Sequence, residues 1–244
     1  MDRNCIITGA NRGIGKEVVR AFAENGDNIW ACIRKPNSDF ENYCGILMDQ
    51  YGIWIKCVIV DLSIEKDIIE CMDKINKEKK SVDILVNCAG IGHMGLLQMT
   101  SSENIRKIFE VNVFAIIETC RWAVRIMSKQ KHGIIINISS TAAEETYVGN
   151  SIYGSSKACI NAFSKSLAAE VAPFGIRVNA IAPGLTDTEM SSIFEGNNAS
   201  LPLERTVLGR KLDPKEIAEV VIALTSDPMK MINGQVICVN GGSK

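Results

Sequence analysis

A single α/β domain built on a doubly wound parallel sheet is the fold class this sequence predicts, and three observations predict it. Short apolar runs alternate with helical periods along the chain. A glycine-rich turn, Gly9-Ala10-Asn11-Arg12-Gly13-Ile14-Gly15, joins the first run directly to the first helix. No linker or low-complexity segment interrupts the 244 residues, and 46% of them are hydrophobic, enough for one large core. Strict alternation implies parallel strands joined by right-handed crossovers, with helices on both faces of one sheet.

The elements follow in order. Cys5-Ile6-Ile7-Thr8 is a short apolar strand, and Ile14, Val18 and Phe22 then recur at the four-residue spacing of a helix that Asn25-Gly26 stops. The runs Asn28 to Ile33, Trp54 to Val60, Val82 to Val86, Ile134 to Ile138, Arg177 to Ala182 and Val236 to Val239 are the remaining strands. Helical periods fill 64–79, 101–129, 152–172 and 214–225, the last with Asp213 as a cap before Pro214. No solenoid repeat is present.

Ligands of such sheets bind beyond the carboxyl ends of the strands, and the chemistry-bearing residues of this chain collect there. Strand, glycine turn and helix N-terminus make a phosphate cradle: glycines permit a tight turn and close backbone approach, while free N–H groups and the helix dipole attract a pyrophosphate. Asn87-Cys88-Ala89-Gly90 follows the fourth strand, Ser139-Ser140 the fifth and Pro183-Gly184 the sixth. Tyr153 and Lys157 lie four residues apart on one helix, hence on one face. An ammonium beside a phenol is expected to favour phenolate and make the phenol a useful acid or base near neutral pH.

Composition excludes several function classes. The net charge of −1 gives no basis for a nucleic-acid or anionic-membrane partner. No apolar run approaches the length that spans a bilayer, and a strand begins within a few residues of Met1, so a cytoplasmic protein is expected. Nine scattered cysteines with no Cys-x-x-Cys, and only two histidines, predict reduced and mostly buried thiols rather than disulfides or a metal site.

Taken together these residues resemble the short-chain dehydrogenase/reductase family, over nearly the whole chain. Thr8-Gly9-x-x-x-Gly13-Ile14-Gly15 is similar to its cofactor turn, with Asn11 and Arg12 inside it. Asn87-Cys88-Ala89-Gly90 is similar to its Asn-Asn-Ala-Gly motif, with Cys88 in the second place. Asn112, Ser140, Tyr153 and Lys157 match its catalytic tetrad, the family spacing favouring Ser140 over Ser139. Pro183-Gly184-x-x-x-Thr188, with Thr186 inside it, matches its nicotinamide loop, Asp61-Leu62 its adenine contact, and the stretch from Asn233 to Gly242 its last strand, with Asn240 where aspartate is common. The resemblance implies a Rossmann-like fold and hydride transfer at a carbonyl. Tyr153 is the expected proton donor and Ser140 the hydrogen-bond partner of the substrate oxygen. Lys157 is expected at the nicotinamide ribose, and Asn112 at a water that links this lysine to solvent.

NADP(H) is the expected cofactor. NAD(H) is usually held by an acidic side chain at the end of the second strand, whereas Ile33-Arg34-Lys35 stands here, Arg12 adds a second cation, and no carboxylate is expected to compete. The segment 189–208 resembles the family's substrate lid, and His93, Met94, Ala142, Glu144, Glu145 and Tyr147 are further candidates for the pocket wall. Chain length and motifs are most similar to the 3-oxoacyl-[acyl-carrier-protein] reductase branch, implying an acyl-thioester substrate with a carrier protein as possible partner. A sugar, polyol or other small carbonyl compound and a turnover-dead sensor stay open as alternatives. Of the two basic positions that serve carrier docking in that branch, Lys131 is kept and Phe174 replaces the other. The resemblance also implies a homotetramer packed through 101–129 and 152–172.

Overall fold

The computed structural model describes residues 3–195 and 206–242. Seven parallel strands form one sheet in the order β3-β2-β1-β4-β5-β6-β7. They are β1 (Asn4–Thr8), β2 (Asn28–Ile33), β3 (Ile55–Ile59), β4 (Ile84–Asn87), β5 (Gly133–Ile138), β6 (Ile176–Pro183) and β7 (Val236–Val239). The helices are α1 (Gly13–Glu24), α2 (Ser38–Tyr51), α3 (Glu65–Lys77), α4 (Ser102–Phe109), α5 (Ala115–Gln130), α6 (Ser151–Val171), the single turn α7 (Ser192–Glu195) and α8 (Pro214–Leu224).

The two-residue period of the strands divides the core into two layers. Cys5, Ile7, Ile29, Ala31 and Ile33 face α1, α2 and α8, while Ile6, Trp30, Cys32 and Leu85 face α3, α5 and α6. Strand order reverses between β1 and β4, which opens a crevice beyond their carboxyl ends, the usual ligand position of an open α/β sheet.

Two helical expectations are corrected. α2 is an additional helix, capped by the Asn37 side chain, which accepts from Phe40 N–H, and closed by Gly52 in the left-handed region. It buries only Phe40, Cys44 and Leu47 and carries Gly45 inside it, so its apolar stripe is narrow. The expected helix over 101–129 is interrupted by a π-helical segment, Glu110–Phe114, between α4 and α5. Such insertions recur at functional sites, and this one contains Asn112. The cap expected at Asp213 is present as a full capping box with Glu216.

Candidate functional site

The phosphate cradle is built from backbone. Gly9 and Gly13 have φ of +65° and +50°, and a Cβ on Gly15 would lie 2.1 Å from the Gly9 carbonyl oxygen. Arg12 occupies the N-cap of α1 in extended conformation, offers no side-chain cap, and no acidic residue follows in the first turn. The first N–H groups of α1 are therefore open to an anion, unlike those of α2, α4 and α8, which side chains cap. A cradle that a single Cβ would fill, with an uncapped helix end behind it, fits a dinucleotide pyrophosphate. Ile14 lines the adjoining cleft and Asn11 is half-buried beside it.

Arg34 is exposed at the end of β2. Asp61 sits after β3, where the hydroxyl and amide of Ser63 both donate to it, at 2.7 and 2.9 Å. These bonds hold its carboxyl below the usual range, with Arg34 and Lys107 adding to the effect. Leu62 is half-buried against the second core layer. The expectation that no carboxylate competes for the cations is corrected. Arg12 Nη1 lies 2.6 Å from Glu189 Oε2, an ion pair that the fold closes between segments far apart in the chain.

At the β4 end, a Cβ on Gly9 would lie 2.8 Å from Ala89 Cα, so the turns after β1 and β4 touch. The Ala89 amide donates to Thr8 Oγ1. Asn87 is buried, donating to Asn137 and accepting from Thr119, each at 2.9 Å, so its side chain ties β4 to β5 and α5. Cys88 lines the cleft, its thiol pushed up to about 12 by burial with Lys157 acting in the opposite sense.

Asn112 and Lys157 of the tetrad meet at Gly90, whose added Cβ would lie 3.4 Å from both Asn112 Oδ1 and Lys157 Nζ. Tyr153 and Ser140 border the same cleft, close enough for Ser140 to act on the phenol. Ser140 Oγ also accepts from the Ala142 amide at 3.2 Å, whereas the Ser139 hydroxyl is buried and donates to the Lys157 carbonyl. Burial pushes the Tyr153 phenol up to about 12, with Ser140 acting in the opposite sense, and lowers Lys157 to about 8. Lys157 Nζ lies 5.9 Å from the Tyr153 ring centroid and donates to the Ile138 carbonyl at 2.9 Å. The expected preference for phenolate is thus corrected: desolvation dominates and keeps the phenol protonated.

Asn112 is fully buried, with Oδ1 accepting from Ile91 N–H at 2.8 Å and Nδ2 donating to the Ile91 carbonyl and to Ser156 Oγ. Its side chain ties the β4 loop to α6. Asn150, which the sequence reading passes over, does the same for the Ser140 loop. Its Nδ2 donates to the carbonyls of Ala142 and Glu145 at 2.8 and 3.0 Å. A polar residue just before a helix suggests a cap, but Asn150 makes no capping bond. Gly154 permits this contact, because a Cβ there would lie 2.6 Å from the Ala142 carbonyl oxygen.

Ser140, Tyr153 and Lys157 border a cleft of about 770 Å³, counting its open mouth. Of the expected wall residues, Ala142, Glu145 and Tyr147 line it, as do Thr141, Leu185, Met190 and Ser191. Glu144 is exposed outside it, His93 bonds Thr100 instead, and Met94 packs on the Ala142–Tyr153 pair. Pro183, Gly184, Thr186 and Thr188 also border it, with the Thr186 hydroxyl donating to the Gly184 carbonyl. Of the segment 189–208 expected as a lid, residues 196–205 lie outside the described residues. No group of metal-ligating residues occurs among the described ones.

A family model described as enoyl-(acyl carrier protein) reductase matches residues 9–244. The chain is 37% identical to carbonyl reductase family member 4 of Xenopus tropicalis, over 99% of this chain and 98% of that protein. It is 34% identical to the 3-oxoacyl-[acyl-carrier-protein] reductase FabG of Chlamydia pneumoniae, over 98% and 96% respectively. Among solved structures, L-sorbose reductase from Gluconobacter frateurii, complexed with NADPH and L-sorbose, superposes with a TM-score of 0.90 at 28% identity, covering 99% of this chain and 96% of that one.

Proposed function

This chain belongs to the short-chain dehydrogenase/reductase family, and from that premise we propose that it reduces a carbonyl to a secondary alcohol with NADPH, its substrate a 3-oxoacyl thioester. The observation that carries the reading is the placement of Ser140, Tyr153 and Lys157 together on the cleft wall, with the phenol held protonated by burial. Bound NADPH supplies the hydride that reaches the carbonyl carbon. As charge gathers on the substrate oxygen, Ser140 hydrogen-bonds it and Tyr153 gives it a proton. Lys157 holds the nicotinamide ribose, and Asn112, through its place in the π-helical segment, supports a water by which the proton is replaced. Gly9, Asn11, Gly13, Ile14 and Gly15 would seat the pyrophosphate, with Arg12 and Arg34 at the adenosine 2′-phosphate and Asp61 and Leu62 at the adenine. Ala89, Gly90, Pro183, Gly184, Thr186 and Thr188 would face the nicotinamide half.

The thioester assignment is supported by the likeness to the FabG relative and by an apolar share of the cleft wall, Ala142, Leu185 and Met190. A second reading, reduction of a sugar or other polyhydroxy carbonyl compound, is favoured by Glu145 and Tyr147 in the same wall and by the likeness to L-sorbose reductase. We extend the proposal to a homotetramer packed through α4–α5 and α6, where Phe114 stands 54% exposed, and to a cytoplasmic location. No helix among the described residues is long and apolar enough to cross a membrane.

Replacing Tyr153 with phenylalanine removes the proton donor and little volume. Tyr153→Phe should abolish NADPH oxidation while NADPH fluorescence titration still reports binding. Wild-type turnover by this variant would assign the acid to another residue.

A further inference from the structure

The Arg12–Glu189 ion pair bridges the cofactor turn and the base of the segment that follows the nicotinamide loop. The two strands of chain touch there: a Cβ on Gly13 would lie 3.1 Å from Thr188 Cγ2. Both charged side chains remain open to water, with 61% and 73% of their surface exposed, so the pair is screened and exchangeable. A phosphate dianion offers a guanidinium more charge and more acceptor oxygens than a carboxylate does. We infer that Glu189 is an internal competitor for the adenosine 2′-phosphate of NADP(H): it occupies Arg12 until the phosphate displaces it, and so sets NADP(H) affinity without touching that for NAD(H). This rests on the reading of Arg12 as one arm of the phosphate site.

The test is a fluorescence titration of NADPH and of NADH against wild type, Glu189→Gln, Arg12→Ala and the double variant. Glu189→Gln should tighten NADPH about two- to fivefold, the range of an exposed ion pair, and leave NADH unchanged. The gain should shrink at high salt and vanish in the Arg12→Ala background. Unchanged or weaker NADPH binding, an equal shift for both cofactors, or a gain that persists without Arg12 would overturn the inference. Should Arg12→Ala leave the NADPH-to-NADH preference as in wild type, Arg12 is not at the phosphate and the inference goes with it. The proton-donor assignment is judged separately, by the turnover of Tyr153→Phe.

Discussion

Tyr153 and Lys157 share one face of α6, yet burial rather than their mutual charge governs how each holds its proton. A phenol kept up to about 12 is protonated throughout the physiological range, which suits donation to a carbonyl oxygen. Ser140 Oγ accepts from the Ala142 amide, so the side chain is aligned before substrate arrives. Ser140→Ala should lower kcat by about a hundred- to a thousandfold, the loss typical of one oxyanion donor. Single-turnover NADPH oxidation would show it, and a loss confined to KM would assign Ser140 to substrate binding alone. Arg34 has a distinct expectation: Arg34→Asp should turn cofactor preference from NADPH towards NADH, and an unaltered ratio would remove Arg34 from the phosphate site. These positions were legible because glycines, tyrosine and lysine carry fixed spacings in the chain. Asn150 and Glu189 were not, because one bonds carbonyls and the other an arginine brought near only by folding.

At the scale of elements, β1, β2 and β4 were legible because their apolar runs are buried on both faces. α2 was not, since three buried residues around an interior glycine leave a weak period. The π-helical segment has no sequence period of its own, and it arises where Asn112 must reach the Ile91 backbone and Ser156 together. Opposite the cleft, Asp83 joins three strand starts: it accepts from the Asn4 amide and from Ser81, and pairs with His132 at 2.7 Å. The Asp83 hydrogen bond raises His132 above its ordinary 6.5. Because the folded value is the higher one, this contribution is fully present below about 6.5 and is lost as pH rises through the folded value. His132→Gln should therefore destabilise the protein more at pH 6 than at pH 9, by no more than the roughly 0.2–1 kcal/mol of an exposed pair. Urea midpoints of the two proteins measure this, and an equal difference at both pH values would refute it.

For the whole molecule, the parallel sheet gathers its carboxyl ends on one side, so that residues spread from Ile14 to Ser191 face one cleft. The fold class was readable from alternation and the glycine turn together even with α2 missed, because each of the other crossovers showed a helix between parallel strands. Substrate was not, because the wall mixes Leu185 and Met190 with Glu145 and Tyr147. Carrier docking is expected to be weak. Phe174 is no cation, and the Lys131 ammonium lies 5.2 Å from its ring centroid, which leaves little positive charge to draw an acidic partner there. The most direct test is kcat/KM for NADPH oxidation with one 3-oxoacyl group on a pantetheine-like thiol, the same group on acyl carrier protein, and a keto sugar. Reduction of both thioesters, with a modest carrier advantage and poor use of the sugar, is the predicted result. Turnover of the sugar with neither thioester reduced would contradict it.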